Sequence, residues 1–120
     1  MSRTNKDIPF TFTIIVFILS LLLLIFNITI DVSSNFIQQN VTLTITEKEV
    51  VNGTYLFYGR TQNGEVLVVE NKDNMLYGKF NSSDIYSTIL IGKTYNLKVI
   101  GYRIPFLSRY QNIISYELIE

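Results

Sequence analysis

The 120 residues include no cysteine, no histidine and no tryptophan, and only two prolines. The missing cysteine excludes a disulfide framework and a thiol nucleophile, and the missing histidine excludes a serine–histidine pair. Together the two absences remove the usual His/Cys zinc site. Net charge is missing as well, because 10 Lys+Arg meet 10 Asp+Glu. Within the chain, charge disappears completely from Ile8 to Ile30. Glycine and tyrosine are absent from that stretch too: all six Gly and all eight Tyr lie in residues 31–120. The length sets one domain as the ceiling. No activity is legible in these residues; an anchor, a barrel and a side of the membrane are.

What the chain has in place of those groups is a long apolar run. Phe10–Ile30 is 21 residues, which at ~1.5 Å of rise per residue covers about 31 Å, the hydrocarbon thickness of a bilayer. A helix satisfies its own backbone hydrogen bonds in lipid, and the hydroxyls of Thr11, Thr13 and Ser20 can bond back to the preceding turn. Pro9 suits the first helical turn. A buried core helix would carry a polar stripe, and this segment is apolar on every side. A cleavable signal peptide would be shorter and end in a small-x-small site, whereas Ser33 and Ser34 come after the run without that pattern. The expectation is an uncleaved anchor over 10–30, a short cytoplasmic N-terminus over 1–9, and an extracytoplasmic domain over 31–120. Arg3 and Lys6 precede the run and the first basic residue beyond it is Lys48, so positive residues place the N-terminus inside. Four Asn-x-Ser/Thr sequons occur, at Asn27, Asn40, Asn52 and Asn81. They fit an exported domain, although composition alone accounts for about two of them, and Asn27 is too close to the bilayer to serve as an acceptor.

Residues 31–120 carry 8 Lys+Arg and 9 Asp+Glu, so no basic face for nucleic acid is expected. Val41, Leu43 and Ile45 alternate with Thr42, Thr44 and Thr46, the period of a strand that can extend from Phe36 to Val51. Asn52-Gly53 and Gln62-Asn63-Gly64 are hairpin turns. They bracket Tyr55–Tyr58 and lead to Glu65–Glu70, and Met75–Phe80 reads as extended. Asn81–Asp84 offers N-cap oxygens, Ile85 and Ile89 share a helix face, and Gly92 is placed to close that helix. Thr94–Ile104 reads as a strand with a bulge or bend at Gly101. After a loop from Pro105, Ile114, Tyr116 and Leu118 alternate in the last strand. Three strands, one short helix and two strands predict a mainly β fold: a small five-stranded OB-like barrel behind the transmembrane helix. A β-sandwich fragment or another small open barrel is the competing architecture.

Lys79-Phe-Asn-Ser-Ser-Asp-Ile85, Ile100-Gly-Tyr-Arg-Ile-Pro-Phe-Leu-Ser108 and Tyr110-Gln-Asn-Ile113 resemble segments of an uncharacterised family of small single-pass membrane proteins of bacteria and phages. Here Ile100 stands for that family's first Tyr, Tyr102 for its Trp, Arg109 for an apolar residue and Gln111 for its usual Pro. The likeness covers roughly a third of the chain together with the anchor. It implies the architecture and no reaction.

The same segments hold the best-defined polar set: Lys79, Asp84, Arg103, Ser108 and Asn112. As a pocket it would take an anion or a peptide terminus, with Arg103 supplying a planar fork and the Asn81–Asp84 turn its N–H groups. As architecture, Asp84 would cap the helix and pair with Arg103, an arrangement costly to break from one side. Pairing is the usual fate of such charges. The aromatic residues Tyr55, Phe57, Tyr58, Tyr95, Tyr102 and Tyr110 would bind bases if they formed a platform, but cross-strand packing is the commoner use. Phe106 and Leu107 either plug the barrel or touch the membrane surface. Glu70, Asn71, Asp73 and Asn74 lack the spacing of a calcium loop. Ser82 or Ser83 beside Lys79 is a catalytic dyad only if the lysine is desolvated. No cofactor, metal, nucleic acid or catalysis is therefore expected. The partners expected are the bilayer, through residues 10–30, and another membrane or envelope protein.

Overall fold

The computed structural model describes residues 8–120, apart from the side chain of Phe106. Arg3 and Lys6, which carry the expected orientation, and the Phe106 side chain lie outside that description. The chain divides between Val32 and Ser33 into two units.

The first unit holds most of α1, Phe10–Ser34. It runs four residues past the apolar stretch, because Asp31, Val32, Ser33 and Ser34 can extend a helix already nucleated over the 21 residues before them. Three of its polar side chains bond back one turn: Thr13 Oγ1 donates to the Pro9 carbonyl at 3.4 Å, Asn27 Nδ2 to Leu23 at 2.8 Å and Thr29 Oγ1 to Ile25 at 2.8 Å. Phe17, Leu19, Leu22 and Leu23 are all more than half exposed, so apolar surface surrounds the helix. It is the one helix among the described residues long and apolar enough to cross a membrane.

The second unit is mainly β. Its strands are β1 (Gln38–Val51), β2 (Thr54–Arg60), β3 (Val66–Asn71), β4 (Thr94–Ile100) and β5 (Gln111–Leu118), with a short helix α2 (Ser82–Thr88) between β3 and β4. They pair in the cyclic order β1-β2-β3-β5-β4 and back to β1, so the sheet closes on itself. The β3–β5 pairing is parallel and the other four are antiparallel. β1 makes closure possible by serving two neighbours. Its first half, Gln38–Thr44, pairs with β4, and from Thr44 onward it pairs with β2, with a bulge between Ile45 and Glu47. Gly59 lets the strands approach there, since a Cβ would lie 2.5 Å from the Thr44 carbonyl oxygen. The alternating Leu43 and Ile45 point inward and meet Phe57, Val69, Leu97, Val99 and Ile113, all fully buried. Ile85 and Ile89 of the helix face join them, as their spacing predicts.

Four local expectations need correction. Met75–Phe80 is not extended: Met75–Tyr77 forms a 3₁₀ turn closed by Gly78 in the left-handed region. The apolar run mimics a strand, but Asn74 turns the chain by accepting from the N–H groups of Leu76 and Tyr77. Gly92 does not end α2, which stops at Thr88 with Ile89 already extended; the Gly92 N–H instead donates to Ile45 of β1 at 2.7 Å. β4 ends at Ile100, because Gly101 takes a φ of +99°. In β5 the innermost residue is Ile113 and not a member of the Ile114, Tyr116, Leu118 set. The register jumps there, with Lys98 opposite Ser115 and Val99 opposite Ile113, so Ile114 is the extra residue that shifts the parity.

Candidate functional site

The polar groups that the fold gathers lie where β3 ends and β5 begins, since Val69 and Glu70 pair with Gln111 and Asn112. Asn112 is buried and grips the backbone of Lys72 from both sides: its Oδ1 accepts from the Lys72 N–H at 2.9 Å and its Nδ2 donates to the Lys72 carbonyl at 3.1 Å. Lys79 returns the chain to the same place. Its side chain is buried, and Nζ donates to the Ile113 carbonyl and to Asn112 Oδ1. Burial lowers the Lys79 pKa to about 8, against the opposing charges of Asp73 and Glu70.

Next to this pair the start of α2 is held from outside the helix. Asn81 occupies the N-cap position without a side-chain cap bond. Asp73 does that work, its Oδ1 accepting from the Ser82 N–H at 3.2 Å. The Ser82 side chain first, and its N–H second, hold the Asp73 carboxyl below the usual carboxylate range. Asn71, fully buried at the end of β3, donates from Nδ2 to the Ser82 carbonyl at 2.7 Å. By hydrogen-bond geometry the Asn71 Oδ1 and the Ser82 Oγ are both buried without a partner. Asp73 therefore feels the nearby hydroxyl without forming a well-aligned bond to it.

Of the five residues singled out in sequence, only Lys79 and Asn112 come together. Asp84 is exposed on α2, where its carbonyl accepts from Thr88 Oγ1 at 2.8 Å, and no ion pair joins it to Arg103 among the described residues. The Arg103 guanidinium donates from Nη1 to the Arg109 carbonyl at 2.8 Å and lies 4.2 Å over the Tyr110 ring. Ser108 is exposed at a φ of +52° and closes a turn. Beyond Lys79 and Asn112, the buried polar residues that the sequence reading did not single out are Asn71, Ser82 and Gln111. Asn71 sat in a loop-like run of oxygen-bearing residues, and nothing local marks it as an inward-facing end of β3.

The remaining candidates find structural roles. Phe57 and Tyr95 are buried in the core, Tyr55 and Phe57 pack on Tyr86, and Tyr95 packs edge-on to Tyr116. Tyr58 donates to Glu49 Oε1 at 2.8 Å, and that bond raises its pKa to about 12. Glu70 pairs with Lys72 at 3.2 Å, Asp73 holds α2 and Asn74 caps the first 3₁₀ turn. Among the described residues no group of three acidic, His or Cys side chains is placed to hold a metal. Lys79 Nζ bonds neither Ser82 nor Ser83, and the Ser82 hydroxyl is unpartnered. On the outer face of β1, β4 and β5 a polar depression of about 240 Å³ is lined by Asn40, Asn96, Lys98, Ser115, Tyr116 and Glu117. The sequons at Asn40, Asn52 and Asn81 are exposed. No protein-family model and no curated protein matches the chain.

Proposed function

We propose that this chain is a membrane-anchored, non-catalytic interaction protein. In this reading α1 stays in the cytoplasmic membrane with the N-terminus inside. Residues 33–120 form an OB-like barrel on the outer side, where they engage another membrane or envelope protein. The observation that carries the reading is α1 itself: 25 residues, apolar around the whole circumference, with Thr13, Asn27 and Thr29 bonded to backbone carbonyls one turn earlier. Such a surface is stable in lipid and costly in water. The closed order β1-β2-β3-β5-β4, with a short helix between β3 and β4, supports the OB-like assignment. The likeness of residues 79–85 and 100–113 to small single-pass membrane proteins supports the same architecture. Arg3 and Lys6 support the orientation.

Exposed apolar side chains on this domain support a protein contact. Leu90, Ile91, Leu118 and Ile119 are each at least half exposed, and backbone bonds tie Lys93 to Leu90 and Ile119 to Thr94. Thr94 lies opposite Thr44, about 20 Å along β1 from its first residue at ~3.3 Å per residue. The alternative, an anion or peptide-terminus site centred on Arg103 and the Asn81–Asp84 turn, has weaker support. The Arg103 fork is already engaged by the Arg109 carbonyl, and the Asn81 side chain offers no cap bond.

Carbonate washing followed by photo-crosslinking tests the reading. The full chain should stay with the membrane, and a photoreactive residue at Ile91 should give one discrete protein adduct that a probe at Asn63 does not. A chain released by carbonate, or a probe at Ile91 that captures nothing, would refute it.

A further inference from the structure

The start of β1 is crowded by two loops. Tyr77 Oη donates to the Asn35 carbonyl, Asn74 Nδ2 donates to Asn35 Oδ1 at 2.9 Å, and Gln38 Nε2 donates to Tyr77 Oη at 3.0 Å. From the second loop, the Gly101 N–H donates to the Ile37 carbonyl at 2.9 Å. The 3₁₀ turn Met75–Tyr77 and the segment after β4 are thus fixed to residues 35–38, the first residues after α1.

These loops show apolar side chains to the surroundings. Met75 is 82% exposed, Leu76 73%, Phe80 67% and Phe36 76%. In water large apolar side chains this exposed are a liability, and none of the four is needed by the core cluster. Chain continuity supplies an occupant. If 21 residues of α1 fill the hydrocarbon, Asp31–Ser34 add about 6 Å and bring Asn35 to the outer edge of the headgroup layer. Whatever is hydrogen-bonded to Asn35 sits at that edge too. Tyr77, half-buried, and Tyr102, exposed, are also of the residue type enriched at the membrane interface.

We propose that Phe36, Met75, Leu76 and Phe80 form a second contact with the bilayer that α1 crosses. Shallow insertion of these side chains into the headgroup layer holds the barrel down on the membrane surface. Single apolar anchors of this depth bind weakly on their own, but α1 makes the contact intramolecular, so even a weak one is occupied. The proposal rests on the anchor reading above and adds an orientation of the barrel. The end carrying residues 75–80 faces lipid, and the Gln62-Asn63-Gly64 turn faces water.

The absence of cysteine makes the test clean. The full chain is reconstituted into phosphatidylcholine–phosphatidylglycerol vesicles with an environment-sensitive fluorophore on one introduced cysteine: Leu76→Cys, Met75→Cys, Asn63→Cys or Leu22→Cys. Lipids brominated near the top of the acyl chains report shallow contact. Labels at 75 and 76 should be quenched at least about twofold more than the label at 63, and the label at 22 should lie in hydrocarbon. Labels at 75 and 76 that behave like the one at 63, while 22 is in lipid, overturn the second contact and leave the anchor standing. A label at 22 that reports water overturns both. Labels at 75 and 76 shielded without bromine quenching would indicate a protein contact, which also overturns the proposal.

Discussion

The loops after β3 and β4 share one backbone and reach it with different residues. Each is a 3₁₀ turn closed by a two-residue antiparallel bridge, Asn74 with Lys79 and Ile104 with Arg109. The bonds correspond one for one: Asn74 and Lys79 exchange both N–H groups at 2.9 Å, and Ile104 and Arg109 do so at 3.0 and 3.1 Å. In the first loop the Asn74 side chain caps the turn and Gly78 takes the left-handed position at a φ of +62°. In the second there is no cap bond; Pro105 presets the turn, and Ser108 takes the left-handed position at +52°. The cation after each turn also differs in use. Lys79 is buried on Asn112 and Ile113, whereas Arg109 is half-buried and lends its carbonyl to Arg103. The first loop is therefore locked by side chains to the core of the sheet. The second is held by the fixed φ of Pro105, the local Arg103–Arg109 bond and the Gly101–Ile37 backbone bond, with a cost of strain at Ser108.

Breaking that lock should give the largest effect. Asn112→Ala strands both backbone groups of Lys72 and removes one acceptor of Lys79. It should cost about 3 kcal/mol in thermal unfolding of the full chain in nanodiscs, with faster hydrogen exchange at residues 72–79 than at 104–109. Lys79→Met tests the buried charge. The folded lysine loses its proton near pH 8, while the unfolded one keeps it to about 10.4. Between those values the unfolded chain binds more protons, so stability rises with pH. The parent chain should gain Tm from pH 8 to 10 relative to Lys79→Met, and parallel curves would show that Lys79 is not buried as a cation.

The left-handed positions sharpen the contrast on a smaller scale. A Cβ at Gly78 meets nothing within 4 Å, so Gly78→Ala carries only the conformational penalty, about 1–2 kcal/mol. Ser108→Gly relieves the same strain but frees the unfolded chain, and should stabilise by about 0.5 kcal/mol. If both substitutions shifted Tm in the same direction, the two loops would not be equivalent.

Legibility in the sequence depends on range. The β1 alternation, the Asn52-Gly53 and Gln62–Gly64 turns and the Ile85/Ile89 face are local signals, and the fold honours them. The first 3₁₀ turn is masked by apolar residues, Met75, Leu76 and Phe80, that imitate a strand yet are exposed, whereas Pro105 marks the second as a loop. The site depends on pairings across the chain: Lys79 finds Ile113 34 positions away and Asn71 finds Ser82 across a loop. No local pattern records either. Lys79 and Asn112 were legible as polar residues worth noting, and their burial was not. Arg103 and Asp84 invite pairing by charge alone, and the fold gives Arg103 a carbonyl and a ring instead.

The central claim is that α1 spans the membrane with the barrel outside. Single cysteines at Ser2 and at Asn63, treated with a membrane-impermeant maleimide, test it most directly because the chain has no other thiol. In intact cells stripped of any outer barrier, position 63 should label fully and position 2 only after the membrane is opened. Labelling at position 2 with protection at 63, or a labelled chain recovered in the soluble fraction, would contradict it.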